Sequence, residues 1–217
     1  MSKSILKMHN IEKRFGPITA LSHANFELKK GSVVALVGAN GAGKSTLMNV
    51  LGGITTQDNG QILINDEKVD FNSPGDAARY GIQFVHQELS IFKTMTVAEN
   101  IFINKFPSKY GLISKHMMET TATQLLAELG SNLNPKHSVE TLSTGDCQMV
   151  VIARAMLGSP KILILDEPTS SLSKYEKEKL NDVIRRLKTS GVAIIYISHF
   201  ISEIFEVCDA VTVMRNG

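Results

Sequence analysis

Eight consecutive residues, Gly38-Ala39-Asn40-Gly41-Ala42-Gly43-Lys44-Ser45, bring three glycines, an ammonium and a hydroxyl together at the spacing G-x-x-x-x-G-K-[ST]. Glycines let successive backbone N–H groups turn inward as a nest for anionic oxygens. A helix opening near Lys44 aims its positive end at the same anion. In that geometry Lys44 reaches the β- and γ-phosphates of a nucleoside triphosphate, and the Ser45 hydroxyl holds Mg²⁺. A plain Gly-rich turn would use the same residue types, but its surroundings would be arbitrary. Here residues 32–37 read as a buried strand and residues 46–51 as a helix, which is the setting a phosphate loop needs. Gly38, Asn40, Gly41, Ala42, Gly43, Lys44, Ser45 and Thr46 are therefore the candidate phosphate-binding residues.

A second group lies downstream. Asp166 ends the apolar run 162–165, and in a parallel α/β sheet that is the edge where ligands bind. An Asp there can hold Mg²⁺ through water, and Glu167 beside it can orient or deprotonate an attacking water. An exposed acidic pair after a strand is the competing interpretation, and the upstream phosphate loop weighs against it. His199 follows the apolar run 192–197, and Gln87 follows 81–85. A His at that edge can bond a γ-phosphate, and a Gln amide oxygen can ligate Mg²⁺ or water. Each is weak alone, since strand ends commonly carry polar residues. In Leu142-Ser143-Thr144-Gly145-Asp146-Cys147-Gln148, Ser143 and Gly145 open a helix and present a hydroxyl with free N–H groups, which suits a phosphate as well as a simple cap.

The elements that must position these groups alternate. Leu6 and Met8 begin an extended stretch, Phe15-Gly16-Pro17 turns it, and a second stretch covers 24–28, an N-terminal antiparallel portion. Residues 60–66 and 81–85 read as strands. From 89 to 160 only helices are expected: one capped by Ser114 with Met118, Ala122, Leu125, Leu126 and Leu129 on one face, and one from Ser143 or Thr144 to Leu157. Alternation then resumes with strand 162–165, a capping box at Ser173-Lys174-Tyr175-Glu176, strand 192–197, a short helix over 201–207 and strand 211–214. Wholly apolar short strands alternating with helices predict an α/β fold, a mostly parallel sheet covered on both faces.

The chain has 217 residues and a formal net charge of +2, which gives no support to a polyanion-binding surface. Two cysteines, Cys147 and Cys208, make no disulfide framework and favour a reducing compartment. No apolar run approaches the roughly 18 residues of a membrane span, and no apolar core follows Met1-Ser2-Lys3-Ser4 as in a signal peptide. A cytoplasmic location is expected.

Taken in order, the phosphate loop, Gln87, the 142–148 signature, Asp166-Glu167, the Ser170-Ser171-Leu172 turn and His199 resemble the nucleotide-binding domain of ABC ATPases, over essentially the whole chain. The closest resemblance is to the first ATPase domain of fused-tandem bacterial monosaccharide importers. Val85-His86-Gln87-Glu88-Leu89-Ser90, Thr96-Val97-Ala98-Glu99-Asn100-Ile101 and Tyr196-Ile197-Ser198-His199 carry it. The resemblance implies a P-loop NTPase core over about 1–88 and 161–217 with an all-helical insertion over about 89–160, the whole being one ABC ATPase domain of a longer two-ATPase chain. It implies ATP and Mg²⁺ as ligands, with Ser45, Gln87 and Asp166 at the metal. Glu167, His199 and Gln87 would act in hydrolysis, and Phe15 would stack on adenine.

Ser143 and Gly145 would contact ATP held by a second ABC ATPase domain facing head to tail. The insertion would transmit the cycle to membrane permease subunits on the inner face of the plasma membrane, served by a periplasmic sugar-binding protein, and hydrolysis by this piece alone would be weak or absent. Thr144, Asp146 and Cys147 depart from the commonest signature, and Ser173 stands where many relatives have Asp. The competing function is a soluble ABC-type ATPase working on nucleic acid or ribosomes; near-neutral charge and the absence of basic tails argue against it.

Overall fold

The structure, a computed structural model, describes residues 3–109 and 111–217. Met1 and Ser2, at the head of the segment read for a signal peptide, and Tyr110, inside the expected helical stretch, lie outside the described residues.

The N-terminal strands β1 (Ser4–Phe15) and β2 (Ile18–Lys29) form a long antiparallel hairpin across Gly16, whose φ is +56°. β2 extends well beyond the expected 24–28, because an irregular register and a left-handed His23 (φ +56°) break the alternation that would have revealed its first half. β3 (Val33–Val37) runs into the phosphate loop and α1 (Lys44–Leu51) leaves it. β4 (Asn59–Ile64) and β5 (Glu67–Val69) complete an antiparallel sheet of order β2-β1-β4-β5. α2 (Pro74–Arg79) is capped by Ser73, with Pro74 in the first turn, and leads to β6 (Ile82–Val85).

The stretch after Gln87 contains α3 (Val97–Ile101), opened by a Thr96–Glu99 capping box. It is not all helical. Two-residue strands β7 (Ser108–Lys109) and β8 (Leu112–Ile113) pair, with Gly111 at φ +81° beside them. Strands of two residues are too short to show a period of two, so only Pro107 and Gly111 marked them in the sequence. α4 (Lys115–Glu128) begins at the Ser114 cap and buries Met118, Ala122 and Leu126 as expected. α5 (Thr144–Met156), capped by Ser143, follows.

β9 (Ile162–Asp166), α6 (Lys174–Thr189), β10 (Ala193–Ile197), α7 (Ile201–Val207) and β11 (Ala210–Val213) close the chain. The second sheet has the order β11-β3-β10-β9-β6, and each of its pairings is parallel. Its strands are apolar throughout because each face meets a different layer. Leu163, Leu165, Ile194 and Tyr196 pack with Val150, Leu180 and Ile184 of α5 and α6. Ile162, Ile164, Ile195 and Ile197 pack with Leu47 and Leu51 of α1 and with the antiparallel sheet. Parallel pairing puts the C-terminal ends of β3, β10, β9 and β6 on one edge, and the candidate chemical residues follow these ends.

Candidate functional site

The phosphate loop spans the end of β3 and the start of α1. Gly43 caps α1 in the left-handed region at φ +98°, where a Cβ would lie 2.7 Å from the Ala20 carbonyl oxygen. Gly38 has no room for a Cβ either, which would strike the Met214 carbonyl oxygen. The loop is thus pressed against β2 and the end of β11. Lys44 Nζ donates to the carbonyl oxygens of Gly38 at 2.7 Å and Ala39 at 3.1 Å, so the ammonium lies across the loop mouth.

A cleft of about 460 Å³ opens above it, lined by Asn40, Gly41, Ala42, Gly43, Lys44, Ser45 and Thr46 on one side and by Gln87, Asp166 and Glu167 on the other. That volume falls within the range of small-molecule sites. Ile18 also lines the cleft, and Phe15, half exposed, pairs with Ile18 across the hairpin tip. An exposed aromatic ring therefore stands beside the mouth.

The carboxylate of Glu167 is held from both sides. Gln87 Nε2 donates to Oε2 at 3.0 Å, and His199 Nδ1 lies 3.0 Å from Oε1. A carboxylate only accepts, so Nδ1 carries the proton in this contact. Glu167 itself is in the left-handed region at φ +44°, with its N–H donating to the Ile197 carbonyl at 2.9 Å. A non-glycine residue stays in that conformation only where neighbours hold it there. Burial pushes the Asp166 carboxyl above its usual range, and the adjacent Glu167 adds to this; His86 and Lys44 act in the opposite direction.

Among the described residues no group of three or more His, Cys, Asp or Glu side chains is placed to hold a metal by itself. Ser45, the Gln87 amide oxygen and Asp166 are a sparse, all-oxygen set. Such a set suits Mg²⁺ arriving with phosphates, because Mg²⁺ needs only one or two protein carboxylates, here Asp166, and fills much of its octahedron with phosphate and water.

Ser143 and Gly145 are not brought to this cleft. They line another, with Asp146, Met149, Ser173, Tyr175, Glu176 and Lys179. The Ser143 hydroxyl accepts from Asp146 N–H at 3.1 Å, and Gly145 N–H donates to Glu176 Oε1 at 2.8 Å. Sequence reasoning saw Glu176 only as a cap of α6. Its second bond, to another helix, had no signal along the chain.

The ABC transporter family model matches residues 21–170. The chain is 46% identical over 213 residues to a ribose import ATP-binding protein of Bacillus licheniformis, covering 98% of this chain and 43% of that protein. It is 42% identical over 217 residues to a galactose/methyl galactoside import ATP-binding protein of Treponema denticola, covering 100% and 44%. A xylose import ATP-binding protein of Thermoanaerobacter pseudethanolicus is 45% identical over 219 residues, covering 100% and 43%. The chain thus spans less than half the length of these curated relatives.

Among solved structures, the ADP conformation of an ATP-binding cassette of an ABC transporter superposes with a TM-score of 0.88 at 29% identity, covering 99% of this chain and 88% of that one. A cassette from Clostridium perfringens, part of an ABC transporter complex, gives 0.85 at 27% identity, covering 99% and 86%. With the family model across more than half of its length and these cassettes matching its whole fold, the chain belongs to the ABC transporter ATP-binding family.

Proposed function

We propose that this chain binds and hydrolyses ATP to energise import of a monosaccharide through a membrane permease. The observation that carries the reading is Glu167, held by Gln87 and His199 and facing the phosphate loop across one cleft. The N–H groups of residues 40–46 and the Lys44 ammonium take the phosphate oxygens. Glu167 accepts a proton from water as its oxygen bonds to the γ-phosphorus and the bond to the β,γ-bridging oxygen breaks, giving ADP and phosphate. His199 Nδ1–H and the Gln87 amide fix the carboxylate's orientation, and Phe15 offers a face to adenine. Mg²⁺, held by Ser45, Gln87 and Asp166, would supply charge neutralisation at the phosphates.

The sugar importers among the relatives support the substrate class. Their greater length supports a second ATPase domain as partner, with this chain as the first of the two. In that arrangement Ser143 and Gly145 meet nucleotide across the interface, and the helices after Gln87 face permease subunits supplied by a periplasmic sugar-binding protein. No helix among the described residues is long and apolar enough to cross a membrane, in keeping with peripheral attachment at the inner face.

The test is MgATP binding by calorimetry and phosphate release by the full-length chain, wild type against Glu167→Gln. Retained binding with turnover lowered by roughly 10²–10⁴ is expected for loss of a general base. No MgATP binding, or fast turnover in the variant, would overturn the proposal.

A further inference from the structure

The Glu203 carboxylate, on α7, lies outside the cleft residues, is 7% exposed, and receives four donors. Thr169 Oγ1 donates at 2.6 Å, Lys177 Nζ at 2.8 Å, Ser198 Oγ at 3.1 Å and Tyr196 Oη at 3.2 Å. Thr169 and Ser198 are each 2% exposed and Tyr196 is fully buried. Burial pushes the Glu203 carboxyl up, but the bonds from Lys177, Thr169 and Ser198 outweigh it and hold the group below its usual range.

The donors fall at telling places. Thr169 is two residues beyond Glu167, and Ser198 immediately precedes His199. One carboxylate therefore ties the turn that carries Glu167 to the turn that carries His199. Ser198 Oγ also accepts from Phe200 N–H at 3.0 Å. The Phe200 ring packs on the His199 imidazole, with centroids 4.0 Å apart, and the Lys177 ammonium lies 5.1 Å from that ring's centre. Lys177 thus touches both the hub and the ring that backs His199.

Stability alone is a poor account of this cluster. The Lys177 side chain is 32% exposed, so its ion pair adds little, and a buried carboxylate is on balance no more stabilising than apolar residues of similar volume. What an apolar cluster would not do is fix two turns to one another by directed bonds. Glu167 needs such fixing, because its left-handed backbone holds only where its surroundings determine it.

The geometry points to Glu203 as a positioning residue for ATP hydrolysis, which sets the Glu167–His199 contact from behind by binding Thr169 and Ser198 together. This rests on the proposed ATPase chemistry.

The experiment compares Glu203→Gln and Thr169→Val with wild type in the full-length protein. It measures MgATP affinity, turnover, the urea unfolding midpoint and the His199 imidazole NMR resonances in the absence of nucleotide. Affinity within about 3-fold of wild type is expected, because the phosphate loop is not touched. Turnover should fall about 10²-fold in Glu203→Gln and less in Thr169→Val, the scale of a small misplacement of a reacting group. His199 resonances should shift in both variants, as they should also in Glu167→Gln, which removes the charge that Nδ1 faces.

Unchanged turnover and unchanged resonances would overturn the inference. So would turnover that falls only in step with affinity and unfolding midpoint, since that is plain loss of structure. If wild type itself failed to bind MgATP, the ATPase proposal would fall. The resonances would then still decide whether Glu203 sets the His199–Glu167 contact.

Discussion

Gly145 donates its backbone N–H to Glu176 Oε1 at 2.8 Å, so the first turn of α5 holds a carboxylate from α6. The same side chain accepts from Ser173 N–H at 2.9 Å and Ser173 Oγ at 2.7 Å. It therefore caps two helices at once, and negative charge is favoured at both positive ends. Under the proposed head-to-tail arrangement, the anion now seated on Gly145 N–H is the chain's own.

This arrangement predicts a distinctive pH dependence. The bonds from Ser173, with those from Gly145 and Ser143, hold the Glu176 carboxyl down at about 2, against 4.5 for a free one. A depressed carboxyl contributes stability that is fully present above the unfolded value and is lost as pH falls through the folded one. The window is therefore about pH 4.5 down to about 2. Urea unfolding midpoints of wild type and Glu176→Gln should differ at pH 6 and converge as pH is lowered through that window. A gap that stays constant with pH would mean the carboxylate is not held as described.

Lys44→Ala should weaken MgATP binding by about 10²-fold. Hydrogen bonds to a charged group contribute about 1.5–3 kcal/mol each, and the ammonium is the cation that lies across the loop mouth. The loss in folding stability should be smaller than the loss in binding, since among the described residues Lys44 bonds only carbonyls of its own loop and one of the two is exposed. Affinity near that of wild type would place the phosphates elsewhere.

Two glycines of the same loop should behave differently. Gly43 combines φ +98° with a Cβ position 2.7 Å from the Ala20 carbonyl oxygen and 3.0 Å from Leu21 Cδ2. Gly41 has φ +80° and open space around its Cβ position. Gly41→Ala adds only backbone strain, about 1–2 kcal/mol. Gly43→Ala adds that strain and a clash with β2, so its loss in urea unfolding should exceed that of Gly41→Ala by about 1 kcal/mol or more. Equal losses would show that the loop is not packed on β2.

Much of this was legible along the chain because it is local. The phosphate loop, the Ser114, Ser143 and Ser173 caps, and the buried stripe of Leu180, Val183, Ile184 and Leu187 each depend on spacing within one or two turns. Asp166, Glu167, His199 and Gln87 could be placed at one edge because parallel strands put their C-terminal ends there. What stayed hidden is what joins distant segments. The sequence marks a short helix over 201–207 without singling out Glu203, whose bonds to Thr169 and Ser198 appear only when α7 packs behind two turns. The first half of β2 was hidden by a bulge, and β7 and β8 by their length.

Arg154 is another long-range tie. From the last turns of α5 its Nε donates to the Asn100 carbonyl at 2.8 Å and its Nη1 to the Ser90 carbonyl at 2.7 Å. Asn100, fully buried, in turn bonds both the N–H and the carbonyl of Phe92. The segment just after Gln87 is thereby fastened to the helix whose first turn carries Ser143 and Gly145. Burial lowers the pKa of the Arg154 guanidinium from its usual value. Arg154→Met keeps much of the stem's packing but leaves the part-buried Asn100 carbonyl without its donor, while water can reach the exposed Ser90 carbonyl, a loss of about 1–3 kcal/mol. Arg154→Lys should recover only part of it, because one ammonium cannot match a planar fork that reaches two carbonyls at once. Hydrogen exchange should then rise over residues 88–95 more than in the parallel sheet. If Arg154→Met protected that segment as well as wild type does, the tie between α5 and the segment after Gln87 would have to be made by other contacts.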